Sequence, residues 1–124
     1  MIARRGLRTV PVADVAADPE GTAARALTQF SDYVAVLIHF DVDVIDFTDA
    51  PLSENTGRNE GLTLDQALRA LRVLLSAPNF AALTITELNP NHGEEDGATL
   101  ERFVSGLVET LAKGYAASST GKVG

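Results

Sequence analysis

Acidic side chains gather where an apolar strand ought to end. The run Tyr33-Val-Ala-Val-Leu-Ile-His-Phe40 passes straight into Asp41-Val-Asp43, with Asp46 and Asp49 close behind, and a second apolar stretch over residues 80–88 carries Glu87 at its end. In open parallel sheets ligands bind beyond the carboxyl ends of the strands, so these carboxylates would share one neighbourhood. Carboxylates held together repel one another unless they share a proton or a cation, so either some pKa values rise or a metal ion fills the gap. A metal is the better explanation for Asp41 and Asp43. The competing explanation is that aspartates after a strand are ordinary turn formers. It weighs equally on Asp46 and Asp49, and the local pattern around Glu87 favours a solvated strand-end charge. On spacing alone His39 reads as a core histidine bonded to backbone rather than a ligand. His92, in a loop with Glu94, Glu95 and Asp96, reads as solvent-facing. The two histidines lack the helical spacing of a zinc motif, and no glycine-rich phosphate loop is present. With no cysteine in the chain, thiolate catalysis, disulfides and zinc–thiolate sites are excluded.

These carboxylates need a scaffold. Residues 7–12 contain β-branched residues and Pro11, which predicts a first strand at a sheet edge. Asp18-Pro19 supplies an N-cap and a proline at the first helical position, and Ala23, Ala24, Leu27 and Phe30 continue a helix to about Phe30. The continuous apolar run over residues 33–40 predicts a strand buried on both faces. From Asp41 to Gly61 the chain is irregular and longer than a simple connection, as functional loops are. Thr63 and Gln66 make a capping box for a helix whose stripe is Leu64, Ala67, Leu68, Leu71, Leu74 and Leu75. The alternation of Leu83 and Ile85 with Thr84 and Thr86 predicts another strand. Leu100, Phe103, Val104, Leu107, Val108 and Leu111 mark a final amphipathic helix. The order βαβαβα implies parallel strands with helical crossovers, an α/β fold and part of a three-layer α/β/α architecture. Residues 1–115 form the domain and 116–124 a small polar tail expected to fray.

A chain of 124 residues with 45% hydrophobic and 22% charged residues has room for one core. Its net charge of −7 argues against nucleic-acid phosphates as a partner. No window approaches the roughly 20 apolar residues of a membrane span. Arg4, Arg5 and Arg8 precede no apolar stretch of signal-peptide length, so a cytoplasmic setting is expected.

The motifs also carry a family resemblance. His39-Phe-Asp-Val-Asp-Val-Ile-Asp46 resembles a metal-binding signature of the ureohydrolases, the arginase, agmatinase and formiminoglutamase family, in which a buried strand runs into Asp-x-Asp-x-x-Asp. Pro51 and Gly61-Leu-Thr63 resemble the pieces that follow it, and Thr86-Glu-Leu-Asn-Pro90 resembles the family's Glu-Val-Asn-Pro element. The likeness covers about residues 7–115, the carboxyl-terminal part of such a domain, and its loops look most like arginase-type proteins of actinobacteria. It implies a manganese-dependent hydrolase with two Mn²⁺ ions, releasing urea and an amine from a guanidino small molecule. It implies further that Asp41 bridges the ions, that Asp43 binds one of them and that Glu87 holds the guanidinium. Manganese suits such hard oxygen donors.

Several positions depart from the pattern. His39 stands where the family commonly has serine and Phe47 where it commonly has proline, so His39 and Asp46 are candidates for an altered supporting layer around the ligands. The family's two histidine-bearing metal signatures have no counterpart here. Two aspartates do not make a dinuclear site, so the chain alone is expected to be inactive, with a missing amino-terminal half or a homo-oligomer as partner. A non-catalytic truncated or subunit form is the alternative. The Asp-Val-Asp motif after a strand also resembles haloacid-dehalogenase-type phosphatases, but Lys113 and Lys122 lie too late in the chain for that family's lysine.

Overall fold

The computed structural model describes residues 8–52, 60–89, 91 and 97–123, with side chains up to residue 114. The elements are α1 (Val12–Ala17), α2 (Pro19–Leu27), β1 (Val36–Asp41), a 3₁₀ turn (Val42–Val44), α3 (Leu64–Leu75), β2 (Phe80–Thr86) and α4 (Ala98–Val123). Local chemistry starts the helices where the sequence placed them. The Asp18 carboxylate accepts from the Gly21 amide at 3.0 Å, with Pro19 in the first turn of α2. At α3 the capping box is complete: Thr63 Oγ1 accepts from the Gln66 amide at 3.1 Å, and Gln66 Oε1 accepts from the Thr63 amide at 2.9 Å.

β1 and β2 pair in parallel, with Ile38 opposite Leu83, Phe40 opposite Ile85 and Asp41 opposite Thr86. Side chains alternate across the pair. Ile38, Phe40, Leu83 and Ile85 turn toward a core closed by Leu71 and Leu75 of α3 and Phe103 of α4. The other face carries Leu37, His39, Ala82 and Thr84, all exposed. Helices therefore cover one side of the sheet, and the described residues supply two of the three expected layers.

Two expectations need correction. No first strand forms among the described residues: Leu7 lies outside them, residues 8–11 have no regular structure and Val12 opens α1. A β-branched stretch becomes a strand only against a hydrogen-bonded neighbour; here the Pro11 carbonyl instead accepts from Asp14 and Val15, starting a helix. The described order is thus ααβαβα around a two-stranded parallel sheet. The apolar run is shorter as a strand than its sequence suggests and is not buried on both faces, since Val34 is 99% and Leu37 74% exposed. The last helix is assigned from Ala98 to Val123, where Ala116 and Ala117 favour propagation and no proline interrupts it.

The long connection after β1 is anchored rather than loose. Val42, Ile45, Ala50 and Leu52 are fully buried. Ile45 bridges to Leu62 in parallel, the Leu62 amide donating to the Val44 carbonyl at 2.8 Å and the Asp46 amide to the Leu62 carbonyl at 2.7 Å. Gly61 makes this possible. A Cβ there would lie 2.5 Å from the Val44 oxygen and 2.7 Å from the Asp46 nitrogen, and backbone cannot yield as a side chain can. Gly61→Ala should lower stability by about 1–3 kcal/mol, as overpacking does, read as a fall in the urea midpoint at constant slope.

Candidate active site

Asp41 closes β1, and its Oδ1 accepts from the Asp43 amide at 2.8 Å, which folds the Val42–Val44 turn back over the strand end. Alternation along β1 puts Asp41 on the same face as Leu37 and His39. Glu87 follows β2 directly, one residue beyond Thr86, the partner of Asp41 across the ladder. The Asp41-Val-Asp43 segment and Glu87 therefore leave the same, carboxyl end of neighbouring parallel strands. Glu87 is exposed and has φ of 63°, the one non-glycine residue with positive φ among those described. For an L-residue the left-handed region costs about 1–2 kcal/mol. Backbone strain of this kind concentrates at functional positions.

His39 is not a core histidine. It lies on the exposed sheet face, with Nδ1 2.9 Å from Thr84 Oγ1 and Nε2 3.1 Å from Thr86 Oγ1. Both ring nitrogens are engaged by hydroxyls of β2, not by backbone. The two threonines were visible in the sequence only as strand alternation; their fall on the face of His39 was the signal available.

Asp46 and Asp49 have structural partners, local for the first and distant for the second. Asp46 Oδ1 accepts from the Thr48 amide at 2.8 Å and the Thr48 hydroxyl at 2.6 Å. Those bonds favour the carboxylate and hold its pKa below the ordinary aspartate value. The folded state thus binds this proton less readily than the unfolded chain, and the resulting stabilisation is present above the unfolded pKa and lost as pH falls through the lowered one. Asp46→Asn should remove that part of the acid sensitivity, seen as a flatter melting-temperature profile below about pH 4, near the unperturbed aspartate pKa. Asp49 Oδ2 accepts from the Leu64 amide at 2.8 Å and meets Arg102 Nη2 at 3.2 Å, tying the loop to the start of α3 and to α4.

A groove of about 390 Å³ runs between α3 and α4. Several of its charges are matched within the chain: Arg102 by Asp49, Arg69 by Glu20 at 2.9 Å, and Lys113 by Glu109 at 2.6 Å. Lys113 is therefore engaged along its own helix, away from the strand ends. His92 and residues 93–96 lie outside the described residues.

The donor set fits a hard divalent ion in kind but not in number. Asp41 and Asp43 offer carboxylate oxygens of the type Mn²⁺ prefers. Among the described residues, however, no group of three or more His, Cys, Asp or Glu is arranged to hold a metal. Two carboxylates alone do not complete a site.

Residues 1–112 match the model of the arginase family. The chain belongs to the arginase family. Solved structures place the fold in the same company. Arginase from Bacillus subtilis superposes with a TM-score of 0.73 at 20% identity, covering 89% of this chain and 38% of that one. Formimidoylglutamase from the same organism gives 0.65 at 27% identity, covering 77% and 29%. Proclavaminate amidinohydrolase from Streptomyces clavuligerus gives 0.71 at 20% identity, covering 95% and 39%. No match is found among curated protein sequences. The chain thus spans about two fifths or less of these arginase-family structures, with the parallel sheet and helices of their α/β fold. Of the two likenesses in the sequence, the family match is to the ureohydrolases and not to the phosphatases. Among the described residues no helix is long and apolar enough to cross a membrane.

Proposed function

We propose that this chain is the carboxyl-terminal portion of a manganese-dependent ureohydrolase that converts a guanidino substrate to urea and an amine, and that it is inactive alone. Asp41 and Asp43 would hold the metal and Glu87 would bind the substrate guanidinium. His39 and Asp46 support that arrangement. The observation that carries this reading is the pairing of Asp41 with Thr86, which makes the Asp-Val-Asp segment and Glu87 neighbours at one sheet end. The strained φ of Glu87 adds to it. When bound, the metal pair would supply Lewis acidity toward the guanidinium carbon; the part of this chain is to hold the ions on one side and orient the substrate's positive charge on the other.

No further ligand group is arranged among the described residues, and a second copy or the amino-terminal half of the fold would supply the rest. Exposed Leu37 on the open side of the sheet and exposed Val34 just before β1 provide apolar surface for such a partner. A subunit with no catalysis of its own is the second reading, favoured by the lack of a third ligand among the described residues.

Mn²⁺ titration of the purified chain, followed by electron paramagnetic resonance, tests the assignment. Binding weaker than about micromolar, as an incomplete ligand set implies, should be lost in both Asp41→Ala and Asp43→Ala, with no urea released from any guanidino compound. Unchanged Mn²⁺ binding in either variant would remove that aspartate from the site.

A further inference from the structure

His39, Thr84 and Thr86 form a polar cluster that bridges the two strands just short of Asp41 and Glu87. Thr84 and Thr86 are two residues apart on one face of β2, roughly 6.6 Å along the strand. Reaching both hydroxyls at once takes two separate polar atoms on one side chain. The imidazole supplies them, at 2.9 Å and 3.1 Å; in the neutral ring one nitrogen donates and the other accepts, and a threonine hydroxyl can play either part. A serine in this position has one oxygen and could not span the pair. Thr86 is the last residue before the backbone enters the left-handed conformation of Glu87, a conformation that persists only where its surroundings over-determine it.

We propose that His39 is a positioning residue which, through Thr86, holds Glu87 in its left-handed conformation and so aims its carboxylate at the guanidinium. This deepens, and rests on, the assignment of Glu87 to guanidinium binding. His39 touches neither metal nor substrate in this scheme. Its bond to Thr84 sets the ring, and its bond to Thr86 transmits the constraint. The role is therefore specific to one nitrogen, Nε2.

Conservative variants separate this role from general stabilisation of the sheet. The amide of glutamine can occupy roughly the place of Nε2 and that of asparagine the place of Nδ1. The full chain is titrated calorimetrically with methylguanidinium in the presence of Mn²⁺, the Glu87 amide is followed by nuclear magnetic resonance in the metal-free chain, and Mn²⁺ affinity is measured separately. His39→Ala and Thr86→Val should weaken methylguanidinium binding about 5–10-fold, the worth of one hydrogen bond. They should also broaden the Glu87 amide by exchange and leave Mn²⁺ affinity within about twofold, since both lose the His39–Thr86 bond and neither removes a carboxylate ligand. His39→Gln should restore both readouts and His39→Asn neither. An unchanged Glu87 amide in His39→Ala and Thr86→Val, or rescue by asparagine as good as by glutamine, overturns the proposal. If instead wild type binds neither Mn²⁺ nor methylguanidinium while the Glu87 amide still responds to His39, the ureohydrolase assignment of this site fails and the positioning role fails with it.

Discussion

Phe103→Ala is expected to cost about 3–5 kcal/mol, the usual penalty for emptying a buried phenylalanine site, and to bring the chain close to unfolding. Phe103 is 1% exposed and stacks on Phe40 with ring centroids 6.4 Å apart. Through this contact α4 closes the core against the end of β1, with Leu100, Leu107 and Leu111 packed around it. A domain of this size commands only about 5–15 kcal/mol in total. Among the described residues nothing covers the other sheet face, so no second layer of theirs absorbs a cavity. Phe103→Leu, which keeps most of the volume, should cost less than about 1.5 kcal/mol. Urea unfolding followed by circular dichroism separates the two variants through their midpoints. Near-equal midpoints would mean that the site collapses around alanine and that Phe103 is not the closure of the core. The same cavity would free Phe40, whose neighbour in sequence is Asp41, so stability and the candidate ligand geometry are linked through one aromatic pair.

Helices were the part of this fold most open to sequence reasoning, because their signals are local. The Thr63–Gln66 capping box and the Leu64–Leu75 stripe need nothing beyond their own turn and face to be read, and α3 forms where they predict. Strands were harder, since a strand is defined by its neighbour. Val10 and Val12 have strand-like side chains, yet with no partner alongside and Pro11 lacking an amide, the chain turns into α1. The run before Asp41 reads as buried because burial in sequence means apolar composition. In the molecule Leu37 and Val34 face outward for want of any described residue to cover them. The acidic cluster was legible as types and spacing, and the parallel register then brings Asp41 and Glu87 to one edge. Spacing could not apportion the aspartates. Asp49 is committed to Leu64 and Arg102 through contacts fixed by tertiary structure, and Asp46 to Thr48 within its own turn. Nor could it reveal the left-handed backbone at Glu87, since glutamate has no preference for that region.

That conformation leads to the second large effect. Glu87→Gly should raise stability by about 0.5–1 kcal/mol while lowering methylguanidinium affinity at least about tenfold, because glycine adopts positive φ without the side-chain penalty yet carries no charge for a cation. The gain is smaller than the full left-handed cost, because glycine also widens the unfolded ensemble. Glu87→Gln provides the necessary contrast: it keeps the strain and loses the charge, so binding should fall with no gain in stability. Thermal unfolding and methylguanidinium titration, run on the same three proteins, decide the matter. A glycine variant no more stable than wild type would mean that the φ of 63° is held at no cost and has no functional reading. A glutamine variant that binds as wild type does would mean that the carboxylate is not what meets the guanidinium. Opposite movements of stability and binding at a single position are the signature of a residue kept for its chemistry against its conformational preference. Among the described non-glycine residues Glu87 alone sits in that conformation, at the end of β2 beside Asp41.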